Sequence, residues 1–188
     1  MKTEYLDVVD EENNPTGTKE LRSIVHSTGL RHRTVHVYFF RKKRNDIEFL
    51  VHQRPETKDL HPNKWAAIFG GHVKSGATVE ETVLSEIKEE TGSSIKFECL
   101  IQGPWLKAED APNNREFNGV FYLEYCGRIK DLRLQKEEIQ AIKWMPASEI
   151  EHSMIQNPSI WMRDVKEFRA VLQNLKEKIT CHPELFKD

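Results

Sequence analysis

No apolar run in this chain approaches the ~18 residues that a membrane-spanning helix needs, and no apolar stretch follows Lys2 in the opening "MKTEYLDVVDEENNPTG". The expectation is a protein that neither spans a membrane nor carries a Sec-type signal. Cysteine is scarce as well: Cys99, Cys126 and Cys181 are odd in number and lack any CxxC spacing. That argues against a disulfide framework and for a reducing, cytoplasmic setting. A net charge of -2 provides no single-sign field for a nucleic acid polymer. The short basic run "KKR" at Lys42 to Arg44 lies between two strand-like runs and reads as a solvated hairpin tip. There is no internal repeat and no low-complexity linker. The 188 residues, 38% of them hydrophobic, suit a single domain over residues 1–188 with its own core.

What is present is an ordered succession of short elements. "EYLDVVD" reads as a strand, "EENNPTG" as a turn rich in residues that preset or permit turn angles, and "KELRSIVH" as a short strand and a turn of helix. The β-branched and aromatic runs "RTVHVYFF" and "IEFLVHQ", parted by "RKKRND", predict an antiparallel hairpin. A long polar loop, "RPETKDLHPNK", leads into a short buried strand, "WAAIF". From Thr78 the period changes, with Val79, Val83 and Ile87 four residues apart, and Thr78 with Glu81 forms a capping box. A helix from Thr78 to Thr91, stopped by Gly92, is expected. Three more strands ("IKFECLIQGPWLKA", "REFNGVFYLEYCG", "IQAIKWM"), a short helix "ASEIEHSMI" and a helical segment over about 158–180 complete the chain. The order predicts a mixed sheet between helices, an α/β/α sandwich. The terminal helix would pack on that sheet, with a homodimer as the alternative to a monomer.

The helix after Thr78 has an unusual charge pattern. At about 100° per residue, with Glu86 at zero, Glu90 lies about 40° away, Val79 about 20°, Val83 about 60° and Ile87 about 100°. Glu86 and Glu90 therefore fall within the apolar stripe and Glu89 borders it, whereas Glu81, Ser85 and Lys88 take the wet face. Buried carboxylates must be paired, protonated or bound to a metal. Two readings compete: a salt-bridged structural helix, and a site for a hard divalent cation such as Mg2+ or Mn2+. The preceding "FGGHVKSG" favours the second, because Gly70 and Gly71 let backbone come close to whatever sits at the helix mouth.

Taken whole, "GGHVKSGATVEETVLSEIKEETG" from Gly70 to Gly92 resembles the Nudix box, G-x5-E-x7-R-E-U-x-E-E-x-G-U with U aliphatic. Gly71, the run Glu86, Ile87, Glu89 and Glu90, and Gly92 match it. Ala77 stands where the first glutamate is expected, Ser85 where the arginine is expected and Ser93 where an aliphatic residue is expected. The resemblance covers residues 4 to about 150 and implies the Nudix fold. It further implies a divalent-metal site at Glu86, Glu89 and Glu90, and hydrolysis of a diphosphate linkage in a nucleoside diphosphate derivative or related pyrophosphate. In the family the arginine helps orient the glutamates, so its absence implies a slower site, a substitute cation, or a binding module without turnover. Glu89, Glu90, Glu137 and Glu138 are all candidates for the base.

The N-terminal half, with "HPNKWAAIFGGH", is similar to the Nudix subgroup that includes isopentenyl-diphosphate isomerase. That similarity implies a second metal site at His26, His32, His72 and Glu116, with Asn114 where a second glutamate would be; a relic of common architecture and plain structural residues are the alternative readings. The isomerase also needs a cysteine where this chain has Gly70, and this counts against isomerisation. For the remaining histidines a structural role is the default: His36, alternating with Val35 and Val37, would face solvent or a carbonyl, and His52, His61, His152 and His182 have no assigned role. Arg31, Arg33, Arg54 and Lys64 border the expected helix mouth; each reads first as an exposed charge, with phosphate binding, for which arginine's planar fork is suited, as the alternative. Trp105 and Phe117 would either stack on a planar group or pack.

Overall fold

The computed structural model describes residues 4–43, 46–58, 61–111 and 113–181. Arg44 of the basic run and His182 lie outside the described residues. Strand β1 (Tyr5–Val9) pairs antiparallel with β2 (Pro15–Leu21), and α1 (Arg22–Thr28) follows directly. The turn between these strands is shorter than expected. The Asp10 carboxylate accepts from the backbone of Glu12 and Asn14, which leaves Pro15 to Gly17 to the strand.

The main sheet contains β3 (His32–Lys43), β4 (Asp46–Gln53), β5 (Trp65–Ala66), β6 (Leu100–Ala111), β7 (Asn114–Glu124) and β8 (Ala141–Pro146). Its order is β5-β4-β3-β7-β6, with β8 also paired to β4, and β3 with β7 is its parallel pair. The mixed sheet between helices agrees with the expected α/β/α layering. β3 is apolar on both faces because both are covered. Val35, Val37 and Phe39 face α2 (Val79–Thr91) through Val83 and Ile87. Tyr38 and Phe40 face α3 (Ala147–Gln156) and α4 (Val165–Cys181) through Ile150, Phe168, Val171 and Leu175. Full burial of each such side chain contributes roughly 1.5–3 kcal/mol.

Three boundaries differ from the sequence expectation. β6 begins at Leu100, after a 3-10 turn at Phe97–Cys99, and its register shifts between Gln102 and Trp105, around Pro104, which has no N–H to donate to a ladder. The terminal helix begins at Val165 rather than near Ser159. Trp161 first bridges to Trp65, the Met162 N–H donates to the Trp65 carbonyl at 2.9 Å, and the Asp164 carboxylate then accepts from Glu167 N–H as a cap. Of "WAAIF", Trp65 and Ala66 pair with β4, but Phe69 bridges to Val37 and His72 to Thr34 of β3. The segment thus crosses between two strands, and the sheet opens there. α2 keeps its predicted caps: the Thr78–Glu81 box is complete and Gly92 adopts φ 70°. Among the described residues no helix is long and apolar enough to cross a membrane. All three cysteines are exposed and unpaired.

Candidate active site

The crossing segment brings Gly70 and Gly71 against the start of the site. A Cβ on Gly70 would lie 1.9 Å from the Val35 carbonyl oxygen, and one on Gly71 would lie 2.7 Å from Glu86 Oε1. Only glycine lets this turn lie between the β3 backbone and the α2 carboxylates. The turn is held by Val35 N–H donating to the Gly71 carbonyl at 2.9 Å, and Gly70 N–H donates to Glu90 Oε1 at 3.1 Å.

Glu90 is buried, with 8% exposure, and Glu86 is half-buried, as their places in the apolar stripe require. Burial, then the charge of Glu86, pushes the Glu90 carboxyl up to about 8, against the opposing hydrogen bond from Gly70. Burial, then the charge of Glu89, raises Glu86 to about 7, with Lys74 opposing. Among the described residues none of Glu86, Glu89 and Glu90 forms an ion pair. The salt-bridged helix considered from the sequence is therefore not what the fold contains. Carboxylates on a partly buried face with no ion-pair partner could hold a hard cation, and their oxygen donors suit Mg2+ or Mn2+. Glu89 is exposed, and its Oε1 accepts from the Ser85 hydroxyl at 2.7 Å. Ser85 thus touches a box glutamate from the position where the family has its arginine. Ala77, Ser85 and Glu86 share the wall of an open groove of about 490 Å3 with Lys74 and His72.

The second cluster is assembled from four separate places: His26 on α1, His32 at the start of β3, His72 on the crossing segment and Glu116 on β7. Parallel pairing sets His32 beside Glu116, and the Thr34–His72 bridge brings in the third imidazole. One ligating atom from each of the four lies within 4.8 Å of the others. His26 Nε2 is 3.3 Å from His32 Nε2 and 3.1 Å from His72 Nε2. His32 Nδ1 donates to the Leu30 carbonyl at 3.0 Å, which leaves its Nε2 lone pair for a ligand. Burial is the largest cause lowering all three imidazoles, His26 to about 4; neighbouring imidazoles add to it for His26 and His72, whereas the Leu30 carbonyl and Glu116 oppose it for His32. Three converging imidazoles and one carboxylate are a group that could hold a transition metal. Asn114, two residues before Glu116 on β7, projects to the same face.

A cavity of about 150 Å3 joins the two clusters, since Gly70, His72, Glu90 and Glu116 all line it. Glu138 and Arg54 also reach it, whereas Glu137 is exposed and outside its wall. Several sequence candidates have other roles. Arg31 is buried, ion-paired with Glu11 at 3.0 Å and Glu109 at 2.7 Å, and lies over the Phe117 ring. Arg33 donates to Asn13 at 2.8 Å and covers Trp105, so neither arginine faces the cavity, and Phe117 packs. Lys64 does not line it either. His36 was expected to face solvent or a carbonyl, but it is buried at 6% exposure, lines the cavity, and its Nδ1 has no partner. Arg163, whose guanidinium is 3.4 Å from Glu116, was not anticipated. It lies beyond the stretch to about residue 150 in which the sequence resemblance was read, and no local pattern marks it.

A family model described as NUDIX domain matches residues 30–165. An uncharacterized Nudix hydrolase of Clostridium acetobutylicum is 32% identical over 142 residues, covering 74% of this chain and 68% of that protein. Nudix hydrolase 3 of Arabidopsis thaliana is 30% identical over 156 residues, 79% of this chain, and the match spans 20% of that protein's length. An isopentenyl-diphosphate Delta-isomerase of Salmonella typhi is 24% identical over 165 residues, 86% of this chain and 90% of that one. A crystal structure from Deinococcus radiodurans shares the fold, with a TM-score of 0.63 at 22% identity, over 82% of this chain and 90% of its own. The box at Gly70 to Gly92, the mixed sheet and these matches agree, and the chain belongs to the Nudix family.

Proposed function

We propose that this protein is a hydrolase that uses a divalent cation to cleave a diphosphate linkage in a nucleoside diphosphate derivative or related pyrophosphate. Nudix hydrolases act on such linkages and generally need divalent cations. The observation that carries the reading is the pair of carboxylates facing the sheet, half-buried Glu86 and buried Glu90, both raised and without an ion-pair partner among the described residues. Glu86, Glu89 and Glu90 would hold Mg2+ or Mn2+. A cation there would offset phosphate charge and lower the pKa of an attacking water. The Gly70 N–H fixes the orientation of the Glu90 carboxylate, and the Ser85 hydroxyl fixes that of Glu89. The base is drawn from Glu89, Glu90 and Glu138. His26, His32, His72 and Glu116 would hold a second metal. We infer as well that the chain works as one domain, because both helical layers pack on one sheet, and that it acts in the cytoplasm, where exposed thiols stay reduced.

The test is a panel of diphosphate compounds with Mg2+ or Mn2+, reading phosphate-containing products. Turnover abolished in Glu90→Gln supports the proposal; no turnover on any compound, with binding retained, sinks it in favour of a binding module. That second reading draws on Ser85, which offers Glu89 a hydroxyl instead of a guanidinium. Isomerisation is disfavoured because any side chain at position 70, a cysteine included, would collide with the Val35 carbonyl.

A further inference from the structure

We infer that Arg163 is a positioning residue for the second metal: its guanidinium holds one oxygen of Glu116, so that the other faces His26, His32 and His72. This rests on the reading of that cluster as a metal site. The two oxygens of Glu116 already divide in this way. Oε1 lies 3.7 Å from His32 Nε2, and Oε2 lies 3.4 Å from Arg163 Nη2. Arg163 belongs to none of the elements that supply the cluster. It lies just before α4, on a stretch fixed at both ends. Trp161, 3% exposed, bridges to Trp65, the Met162 N–H donates to the Trp65 carbonyl at 2.9 Å, and the Asp164 carboxylate accepts from Glu167 N–H at 2.8 Å. From that anchored backbone the guanidinium reaches the wall of the 150 Å3 cavity beside Glu116.

The alternative is an ion pair that serves only the fold. Glu116 is buried, and a buried carboxylate needs a counter-charge. A ligating imidazole is neutral and supplies none. Arg163 supplies it through one oxygen and leaves the other toward the histidines. Without that contact a flexible side chain with two equivalent oxygens would have to be ordered as the metal binds. Partners that fix a ligand's orientation are typically worth about 10–100-fold in metal affinity. A guanidinium also repels a divalent ion, which works in the opposite direction. Here Glu167 lies 3.8 Å from Arg163 Nε and provides the opposite charge. The Arg163–Glu167 pair therefore adds no net charge beside the cluster, and orientation decides the sign. An ion pair that served only the fold would leave metal affinity unchanged once charge is balanced.

The probe is Zn2+, titrated calorimetrically into the full chain in saturating Mg2+, which takes oxygen ligands and leaves imidazole to the softer ion. His72→Ala identifies the site by abolishing the Zn2+ binding event. The double variant Arg163→Met with Glu167→Gln removes one charge of each sign, and it should bind Zn2+ about tenfold or more weakly. In a Glu116→Gln chain the same two changes should alter Zn2+ affinity by less than about twofold, because Arg163 acts through that carboxylate. Equal affinity of the unaltered and double-variant proteins, or the same loss in the Glu116→Gln chain, overturns the inference. Absence of any Zn2+ binding that His72→Ala removes refutes the metal reading and this inference with it, so the two failures are told apart. A second measurement keeps the arginine and does not depend on the double variant folding. In nitrogen-15 NMR of the Zn2+-saturated unaltered protein, the Arg163 guanidinium, assigned by its loss in Arg163→Lys, should give resolved Nη–H signals in slow rotation that average out in Glu116→Gln. A freely rotating guanidinium in the unaltered protein overturns the inference.

Discussion

Replacing Glu90 with glutamine changes one atom and removes a buried charge, so its effect on stability can be worked out from the fold. In the unfolded chain this carboxyl titrates near 4.5; in the fold it is pushed up to about 8, first by burial and then by Glu86. An acid whose pKa is higher in the fold binds its proton more tightly when folded. Stability is therefore intact below the unfolded value and falls as pH climbs towards the folded one, levelling off above it. Between pH 6 and pH 9 the loss comes to roughly 2–3 kcal/mol for Glu90 alone. Glu86, raised to about 7 by burial and by Glu89, adds to the loss in the same window, though the two are not additive. Urea unfolding in EDTA at pH 6, 7, 8 and 9 measures this. The unaltered protein should lose stability across the series, and Glu90→Gln should flatten most of the loss, keeping the bond from Gly70 to its amide oxygen. Saturating Mn2+ should restore the unaltered protein at pH 9 and do little for the variant, because a ligand that binds only the fold stabilises it by an amount that grows with the logarithm of its concentration over its Kd. A flat profile in EDTA, or equal slopes for the two proteins, would show that these carboxylates ionise freely and would refute the argument.

Two further outcomes are expected. His32→Ala or His72→Ala should lower Mn2+ stoichiometry from two per chain to one by equilibrium dialysis. Since the imidazoles are lowered, His26 to about 4, protons should displace the second ion only below about pH 5. Gly70→Ala places a methyl 1.9 Å from the Val35 oxygen and should cost ~3 kcal/mol or more of stability in chemical denaturation, where an ordinary surface change costs under ~0.5.

Local patterns were readable. The period of Val79, Val83 and Ile87, with Glu86 and Glu90 among them, located both the helix and its buried acids, because helical geometry is a property of neighbouring residues. The Thr78 box and the Gly92 stop were legible for the same reason. His36 was misread because alternation tells solvent from core only when one face is wet, and β3 is covered on both. Arg31 was misread because its partners, Glu11 and Glu109, lie far away in the chain.

By itself, then, the sequence determined the order of elements, the acidic stripe of α2 and the glycine turn that meets it. Only the tertiary structure decided what those parts enclose. Whether Glu86 and Glu90 were salt-bridged depended on which cations the fold brought near, and it brought none within ion-pairing distance among the described residues. Resemblance named His26, His32, His72 and Glu116, but it was strand register that set them within 4.8 Å. A single helix is specified by contacts three and four residues apart, whereas a cavity is specified by pairings between strands many residues apart, and a linear pattern does not encode those distances.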